Sequence, residues 1–256
     1  VASIPLTLLT PEMLDDWLRA QPTQVRDWVA AMGFTATFGA ALAIPGESGN
    51  IIGAIAGAGA AARKRRNRFA LGAARAKLPP LPFHLISEID GDELHAELLG
   101  WLLSGYKFER YRKQGGTLAD IQCPASTNAA DLEAIAAGET LTRDLINTPA
   151  SDMGPPDLEA AARALATAKG AQISVIEGNA LLEQNFPMIH AVGRAASRAP
   201  RLIDMRWGDA GPKLTLVGKG VCFDTGGLNL KPGASMGLMK KDMGGSAAVL
   251  GLASMI

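Results

Sequence analysis

The sequence predicts an α/β protein built from two domains. Its 256 residues are enough for two domains of ordinary size, and 48% of them are hydrophobic, which is enough to form real cores. In the second half of the chain, candidate helices and strands alternate, and this order is typical of an α/β sheet. We therefore expect an amino-terminal α/β domain with a linker helix over residues 1–127 and a second α/β domain over residues 128–256.

The first domain begins with candidate helices and short strands. Apolar residues recur every three or four positions from Met13 to Ala31, which predicts helical segments interrupted near Pro22. Short apolar runs predict strands in "ATFGAALAIPG", "NIIGAIAG" and "FHLIS". Before the last of these, "RFALGAARAKLPP" is typical of a helix that a proline pair ends.

A longer helix is predicted from Asp92 to Lys113, because leucine and aromatic residues recur along it with acidic residues early and basic residues late. The next stretch, "QGGTLADIQCPAST", breaks this pattern. Asn128 or Asp131 could then cap a new helix that runs to about Leu145. We place the domain junction at this point.

The second domain follows a regular order of elements. Its predicted elements are a helix at Pro156–Lys169, a strand at Gln172–Ile176, a short helix at Asn179–Gln184, strands at Arg201–Trp207 and Lys213–Val217, and a final helix from about Gly245.

Composition excludes several classes of protein. Acidic and basic side chains number 25 each, so no global charge attracts nucleic acid or a membrane. Cys123 and Cys222 fit neither a disulfide framework nor a C-x-x-C motif, which indicates a reducing compartment. The most apolar run, Ile51–Ala62, is shorter than the roughly 20 residues that span a bilayer. We expect a cytoplasmic protein without a membrane partner.

One basic run offers an alternative function. Residues 63–68, "RKRRNR", could serve a regulatory or nucleic-acid-binding chain. No aromatic residues interleave the run and the whole chain is neutral, so a solvated loop or helix start is favoured. His84, His95 and His190 are scattered, lack the H-E-x-x-H spacing and are interpreted as structural.

The stretch "VGKGVCFDTGG", residues 217–227, carries the strongest functional signal. It places Lys219 and Asp224 among glycines directly after an apolar run, where loops that leave sheet strands form ligand crevices. The glycines would let the backbone approach a ligand or adopt a positive φ. Further on, "LKPGASMGLMKKDMGG" adds Lys231 and Asp242.

Three interpretations of this stretch compete. A phosphate-binding P-loop fails on spacing, and no serine or threonine follows Lys219. An aspartic protease is suggested by the Asp-Thr-Gly triplet, but it would need a second such aspartate. In a metal site, Asp224 and Asp242 would bind divalent cations through oxygen. A lysine can join them only after losing a proton, and a neighbouring metal charge favours that loss.

Residues 216–252, "LVGKGVCFDTGGLNLKPGASMGLMKKDMGGSAAVLGL", closely resemble the signature region of the leucyl aminopeptidase family of dinuclear metallo-exopeptidases. Upstream, "RDLINTPASDMGPPDLEAAA", "AVGRAASRAPRLIDMRW" and "GYKFERYR" are similar to further segments of the family, whereas the first 80 residues match loosely. The resemblance implies that residues 128–256 are the opening half of an α/β aminopeptidase catalytic domain.

The resemblance also assigns roles to individual residues. It implies that Lys219 and Asp242 bind one metal ion and that Asp224 bridges both ions. Lys231 falls on the family's catalytic lysine, which stays charged and stabilises the developing oxyanion. Met239 falls on a residue that lines the pocket for the first substrate side chain. Lys231, Met239 and Asp242 are therefore the implied contacts to substrate.

The implied reaction is attack on a peptide carbonyl by a metal-bridging hydroxide, since bound cations lower the pKa of water. The free α-amine of the peptide would bind a metal, so only the first residue is removed. Zinc or manganese is the implied pair of ions, with cobalt as a further option. The resemblance further implies a homo-hexamer.

One family segment is missing from these residues. A motif of the form Asn-Thr-Asp-Ala-Glu-Gly-Arg supplies further carboxylate ligands and an arginine that holds a bicarbonate acting as base. We therefore expect residues 1–256 alone to bind metal poorly and to show no peptidase activity.

The remaining residues near the motif have simpler interpretations. Lys240 and Lys241 are predicted to be surface charges, and Met236 and Met243 to fill the core. Cys222 is predicted to be a small buried residue because no histidine accompanies it in the motif.

Overall fold

The computed structural model describes residues 3–63, 68–223 and 231–256. They form two compact units, the first from Val1–Glu109 with Lys113–Ala136 and the second from Arg110–Arg112 with Ala137–Ile256. Both units contain helices and strands, so the α/β fold class expected from the sequence is confirmed. The predicted boundary between residues 127 and 128 stays a prediction.

The strands are β1 Ile4–Leu9, β2 Ala41–Pro45, β3 Ile51–Gly57, β4 Pro82–Leu85, β5 Asp120–Gln122, β6 Gln172–Glu177 and β7 Arg201–Arg206. The helices are α1 Pro11–Arg19, α2 Thr23–Ala31, α3 Ala70–Arg75, α4 Gly91–Ser104, α5 Ala129–Asn147, α6 Pro155–Lys169, α7 Ala180–Glu183, α8 Pro187–Gly193, α9 Gly233–Leu238 and α10 Gly244–Met255. The predicted interruption near Pro22 is confirmed by the gap between α1 and α2. Strands β1 and β5 and helices α8 and α9 were not predicted.

The first unit is organised around a five-stranded sheet with the order β2-β3-β1-β4-β5. Strand β1 is parallel to β3 and β4, β4 is parallel to β5, and β2 is antiparallel to β3. At one edge β2 has an irregular register between Ile44 and Pro45, and at the other edge β5 has only three residues. Both edges are thus poor templates for further pairing.

Alternating residues of this sheet fill two buried clusters. Leu6 and Leu8 of β1 pack with Phe83 and Trp101, whereas Leu9 packs in a different cluster. That second cluster also contains Val25 and Val29 of α2, Leu42 and Ile44 of β2, and Ile55 of β3. Because successive side chains of a strand point to opposite faces, the sheet buries apolar residues on both sides.

A carboxylate of the first unit is buried against backbone N–H groups. Glu97 of α4 is 8% exposed, and its Oε2 accepts a hydrogen bond from the Leu71 N–H at 2.7 Å. Leu71 lies in the first turn of α3, where backbone N–H groups have no partner within the helix. Burial raises the pKa of the Glu97 carboxyl, and the hydrogen bonds from backbone N–H groups oppose this rise.

Helix α4 ends earlier than the sequence predicts. The expected helix from Asp92 to Lys113 stops at Ser104, and the chain then turns into a loop. The Lys107 ammonium holds this loop by donating to the carbonyl oxygens of Gln114, Gly115 and Gly116 at 3.2, 3.1 and 2.8 Å. Apolar spacing and charge pattern together overestimated the length of the helix, because these contacts favour the turned backbone.

The second unit packs helices around a two-stranded antiparallel sheet of β6 and β7. Helix α6 begins where the Gly154 N–H donates to the Asp157 carboxylate at 2.9 Å, and it ends at Gly170, whose φ is +67°. The predicted helix at Pro156–Lys169 is therefore confirmed. The buried core of the unit contains Leu145 of α5, Leu158, Ala162 and Leu165 of α6, and Met243, Ala247 and Leu250 at or within α10.

The strand predicted at Lys213–Val217 is wrong. The structure describes these residues as irregular, and Leu214 and Val217 are 78% and 87% exposed. A strand is stabilised by hydrogen bonds to a neighbour, and within the described part of the chain β6 and β7 pair only with each other. The apolar run therefore has no strand to join there.

Paired charges hold β7 against α6. Arg201 at the start of β7 is 8% exposed and contacts the carboxylate of Glu159, and it also donates to Glu177 at 2.7 Å. Arg163 donates to the same Glu159 carboxylate at 2.7 Å. The hydrogen bonds from Arg201, and then from Arg163, lower the pKa of Glu159.

Among the described residues, none of the helices combines the length and the apolar character that a membrane-spanning segment needs.

Candidate metal centre

Lys219 lies in a short glycine-flanked segment of the signature stretch, residues 218–220, termed the Lys219 loop. The loop packs on the start of α10, where the Ser246 N–H donates to the Lys219 carbonyl at 2.9 Å. A Cβ on Gly218 would lie 2.6 Å from the Gly245 carbonyl oxygen. Neither Gly218 nor Gly220 has a positive φ. These glycines make room for the helix start, and the positive φ that the sequence suggested is not observed at either.

Asp242 lies directly before α10 on a segment that is anchored on both sides. Its N–H donates to the Met239 carbonyl at 3.0 Å. Lys240 donates from Nζ to the carbonyl oxygen of Ile146 at 2.7 Å, near the end of α5. On the other side, Met243 is fully buried in the core of the unit. Asp242 is thus held in a defined position.

Two of the predicted metal ligands come together. The Lys219 Nζ lies 3.4 Å from the Asp242 Oδ2, and the two side chains are 60% and 24% exposed. Asp224, the third predicted ligand, lies outside the described residues. In the part of the chain that is described, no three side chains from His, Cys, Asp and Glu form a group that could hold a metal ion. The described donors are therefore one amine and one carboxylate.

These two donors fit part of a metal shell. Without a metal, a protonated amine and a carboxylate at this distance attract each other as an ion pair. An amine that gives up its proton offers a nitrogen donor, and the carboxylate offers oxygen, a combination that suits divalent ions such as zinc or manganese. The metal roles of Lys219, Asp224 and Asp242 stay predictions.

The predicted catalytic lysine and the predicted pocket residue also lie together. Lys231 Nζ is 3.1 Å from the Met239 Sδ. Met239 is buried, whereas Lys231 is exposed. This arrangement places a cation at the solvent-facing side of a buried thioether.

Cys222 is buried in the core of the unit, in agreement with its predicted role. Burial, with a smaller contribution from the charge of Asp157, raises the pKa of the Cys222 thiol to about 11. A thiol in this state has little thiolate near neutral pH, so it is a packing residue rather than a nucleophile. Met243 also belongs to the core, as predicted, and Met236 is half-buried.

Two residues that build the site were missed from the sequence. Lys240 was predicted as a surface charge, but it is half-buried and bound to the Ile146 carbonyl, whereas Lys241 is exposed as expected. Ser246 was not singled out at all. Lys240 and Ser246 both donate hydrogen bonds to carbonyl groups that are distant in the sequence. The sequence around each residue contains no signal for such a contact.

Two family models match the chain. The M17 aminopeptidase, N-terminal domain, matches residues 4–124, and the cytosol aminopeptidase family, catalytic domain, matches residues 140–256. The chain belongs to the M17 cytosol aminopeptidase family. The resemblance of the signature stretch is thereby confirmed.

Individual M17 relatives agree with this assignment. A probable cytosol aminopeptidase from Chelativorans sp. is 39% identical over 189 residues, which are 66% of this chain and 38% of that protein. The solved cytosol aminopeptidase from Coxiella burnetii has a TM-score of 0.90 and 41% identity, and the match covers 100% of this chain and 55% of that one. The bottromycin maturation enzyme BotP, solved in complex with Mn, has a TM-score of 0.77 and 30% identity over 99% of this chain and 56% of its own.

The chain therefore spans only part of the length of these M17 relatives, from 38% of the Chelativorans protein to 56% of BotP.

Proposed function

We propose that these residues act as part of a metal-dependent aminopeptidase, which removes amino-terminal residues from peptides. Family membership supports this activity. The observation that carries the proposal is the approach of Lys219 Nζ to Asp242 Oδ2, at 3.4 Å, from separate segments of the chain. Because the chain spans only part of its relatives' length, the activity is proposed for the whole protein. Residues 1–256 alone are still expected to be inactive.

Lys219 and Asp242 would hold one divalent ion, and Asp224 would bridge it to a second. Zinc or manganese is proposed, with cobalt as a substitute, because oxygen-rich sites discriminate weakly among these ions. The manganese complex of BotP supports manganese. When bound, the ions would supply an activated water molecule for attack on the peptide carbonyl.

The other side chains would act on the peptide itself. The Lys231 ammonium would stabilise negative charge that develops on the carbonyl oxygen. Met239, 3.1 Å away from that ammonium, would line the pocket for the first side chain of the peptide. Asp242 would also face the free α-amine, which limits cleavage to the first residue.

Further features are proposed from the family alone. They are a homo-hexameric assembly, a cytoplasmic location, and a bicarbonate held as base by the arginine of the family's Asn-Thr-Asp-Ala-Glu-Gly-Arg motif.

Replacing Asp242 by Asn tests the proposal. In the complete protein, D242N removes a charged donor, so we expect the Kd for Mn²⁺ to rise at least about tenfold and leucyl amide hydrolysis to fall with it. The matched control is Asp209→Asn, which changes an exposed aspartate of the same unit and should leave both values unchanged. Unchanged metal affinity in D242N would contradict the assignment of Asp242, and absence of metal binding by the wild-type protein would contradict the function.

The nucleic-acid alternative stays a prediction. Its basic run is centred on residues 64–67, which lie outside the described residues. A charge-reversed variant of residues 63–66 tests it, since salt-dependent DNA binding should then be lost while peptidase activity is kept.

A further inference from the structure

Lys219 and Asp242 are 23 positions apart, so something other than local sequence must fix the distance between them. Asp242 is held by its own segment, through the Lys240 contact to α5 and the buried Met243. The Lys219 side chain is more than half exposed, which means that core packing does not orient it. The position of the amine therefore depends on the backbone of the Lys219 loop.

One residue of α10 binds that backbone twice. The Ser246 N–H donates to the Lys219 carbonyl at 2.9 Å, and the Ser246 Oγ donates to the Gly218 carbonyl at 2.9 Å. Two consecutive carbonyl groups are thereby fixed, and the peptide plane between them cannot rotate without breaking a bond. The peptide group between Gly218 and Lys219 includes the Lys219 N–H. Fixing this group therefore restricts the direction in which the Lys219 side chain leaves the backbone.

The fit around Ser246 leaves no room for larger side chains. A Cβ on Gly220 would lie 2.8 Å from the Ser246 Oγ, and a Cβ on Gly245 would lie 2.8 Å from the Lys219 nitrogen. A Cβ on Gly218 would lie 2.6 Å from the Ser246 Cα. Real Cβ atoms essentially never come this close to other atoms. Three glycines and one small hydroxyl residue therefore form a single close contact between the loop and the helix.

The helix that carries Ser246 is itself firmly placed. Met243, the residue before its start, and Ala247 in its first turn are fully buried. They pack in the cluster that also contains Leu145 of α5 and Leu158 of α6. Ser246 thus connects a loop that carries an exposed side chain to the rigid core of the second unit.

We infer that Ser246 is a positioning residue for the metal centre: its two hydrogen bonds hold the Lys219 loop so that the lysine amine stays within reach of the Asp242 carboxylate. This inference rests on the proposed function, in which both side chains bind the same ion. Groups that orient metal ligands without touching the metal typically change metal affinity by 10- to 100-fold when they are removed.

The test compares two serine variants of α10 in the complete protein. Ser246→Ala removes the bond to the Gly218 carbonyl and keeps the backbone bond. Ser254→Ala is the matched control, because its Oγ donates to the Gly251 carbonyl within the same helix and not to the Lys219 loop. We expect the Kd for Mn²⁺ alone, measured by electron paramagnetic resonance of the free ion, to rise about tenfold in S246A and to change less than twofold in S254A.

A second variant disturbs the same contact by a substitution in the Lys219 loop. Gly220→Ala places a methyl group against the Ser246 Oγ, so we expect a loss of Mn²⁺ affinity similar to that of S246A. In the double variant the hydroxyl is absent and the collision is relieved, so the two losses should not multiply. Gly237→Ala is the control, because a Cβ there meets no atom within 4 Å.

The outcomes separate the inference from the proposed function. If the wild-type protein binds none of Mn²⁺, Zn²⁺ and Co²⁺, the proposed function is refuted. If it binds Mn²⁺ and S246A binds equally well, the positioning role is refuted and the function stands. Equal affinity losses in S246A and S254A would indicate a general effect of destabilising α10, and would also overturn the positioning role. The visible spectrum of the Co²⁺-loaded protein should change in S246A and not in S254A, because it reports the coordination geometry.

Discussion

The two units make different use of apolar runs of similar length. In the first unit, the run in β1 is paired on both sides by β3 and β4 and contributes to buried clusters on both faces of the sheet. In the second unit, residues 213–217 have a comparable run, yet they remain irregular and exposed. The difference teaches that an apolar run becomes a strand only where a neighbouring strand offers its hydrogen bonds.

Each unit also holds one carboxylate largely away from solvent, and the two are held in opposite ways. Glu97 in the first unit is bound by a backbone N–H and has a raised pKa, because burial dominates. Glu159 in the second unit is bound by two arginines and has a lowered pKa. The contributions of these two carboxylates to stability should therefore respond to pH in opposite directions.

The largest effect is expected from truncating the buried run of the first unit. Leu6→Ala removes a fully buried side chain from β1, so we expect a loss of about 3 kcal/mol in the free energy of unfolding. Leu214→Ala, the same substitution in the exposed run, should change it by less than about 0.5 kcal/mol. Urea denaturation followed by circular dichroism measures both values. Equal losses would show that residues 213–217 are buried in solution.

An intermediate effect is expected at the arginine-bound carboxylate. Glu159→Gln leaves the buried Arg201 with Glu177 as its remaining charged partner, so we expect a loss of about 2 kcal/mol at neutral pH. Glu139→Gln, which removes the half-exposed partner of Arg143 on α5, is the control and should cost less than about 0.5 kcal/mol.

The sign of the pH dependence at Glu159 follows from its lowered pKa. The charged carboxylate stabilises the second unit fully above the ordinary glutamate pKa of about 4.3, and this contribution is lost as the pH falls through the lower folded value. The difference in unfolding free energy between wild type and E159Q should therefore shrink in acid. A constant difference would contradict the pairing.

The smallest effect is expected at Glu97. Its raised pKa means that its favourable contribution is full below the ordinary glutamate pKa and is lost as the pH rises through the higher folded value. Glu97→Gln imitates the protonated form, so we expect a change within about 1 kcal/mol at pH 7 and a weaker decline of stability from pH 4 to pH 7. Thermal unfolding across this range checks it, and an unchanged slope would contradict it.

Local periodicity predicted much of the fold. Helix α6 was predicted at Pro156–Lys169, and in the structure it starts at a proline and ends before Gly170, which has a positive φ. The end of α4 was missed because it depends on Lys107 reaching carbonyl groups beyond the helix. For the same reason Ser246 and Lys240 were missed at the candidate metal centre, although Lys219 and Asp242 were singled out through their resemblance to a family signature. Side-chain contacts to distant backbone groups leave no pattern in the sequence around them.

The two-stranded sheet of the second unit limits where a further strand can join it. Each of β6 and β7 pairs with one other described strand, so its second side makes no ladder hydrogen bonds to another described strand. The sheet of the first unit instead has a proline at one border and a three-residue strand at the other. A further strand could therefore join the two-stranded sheet only along the second side of β6 or of β7.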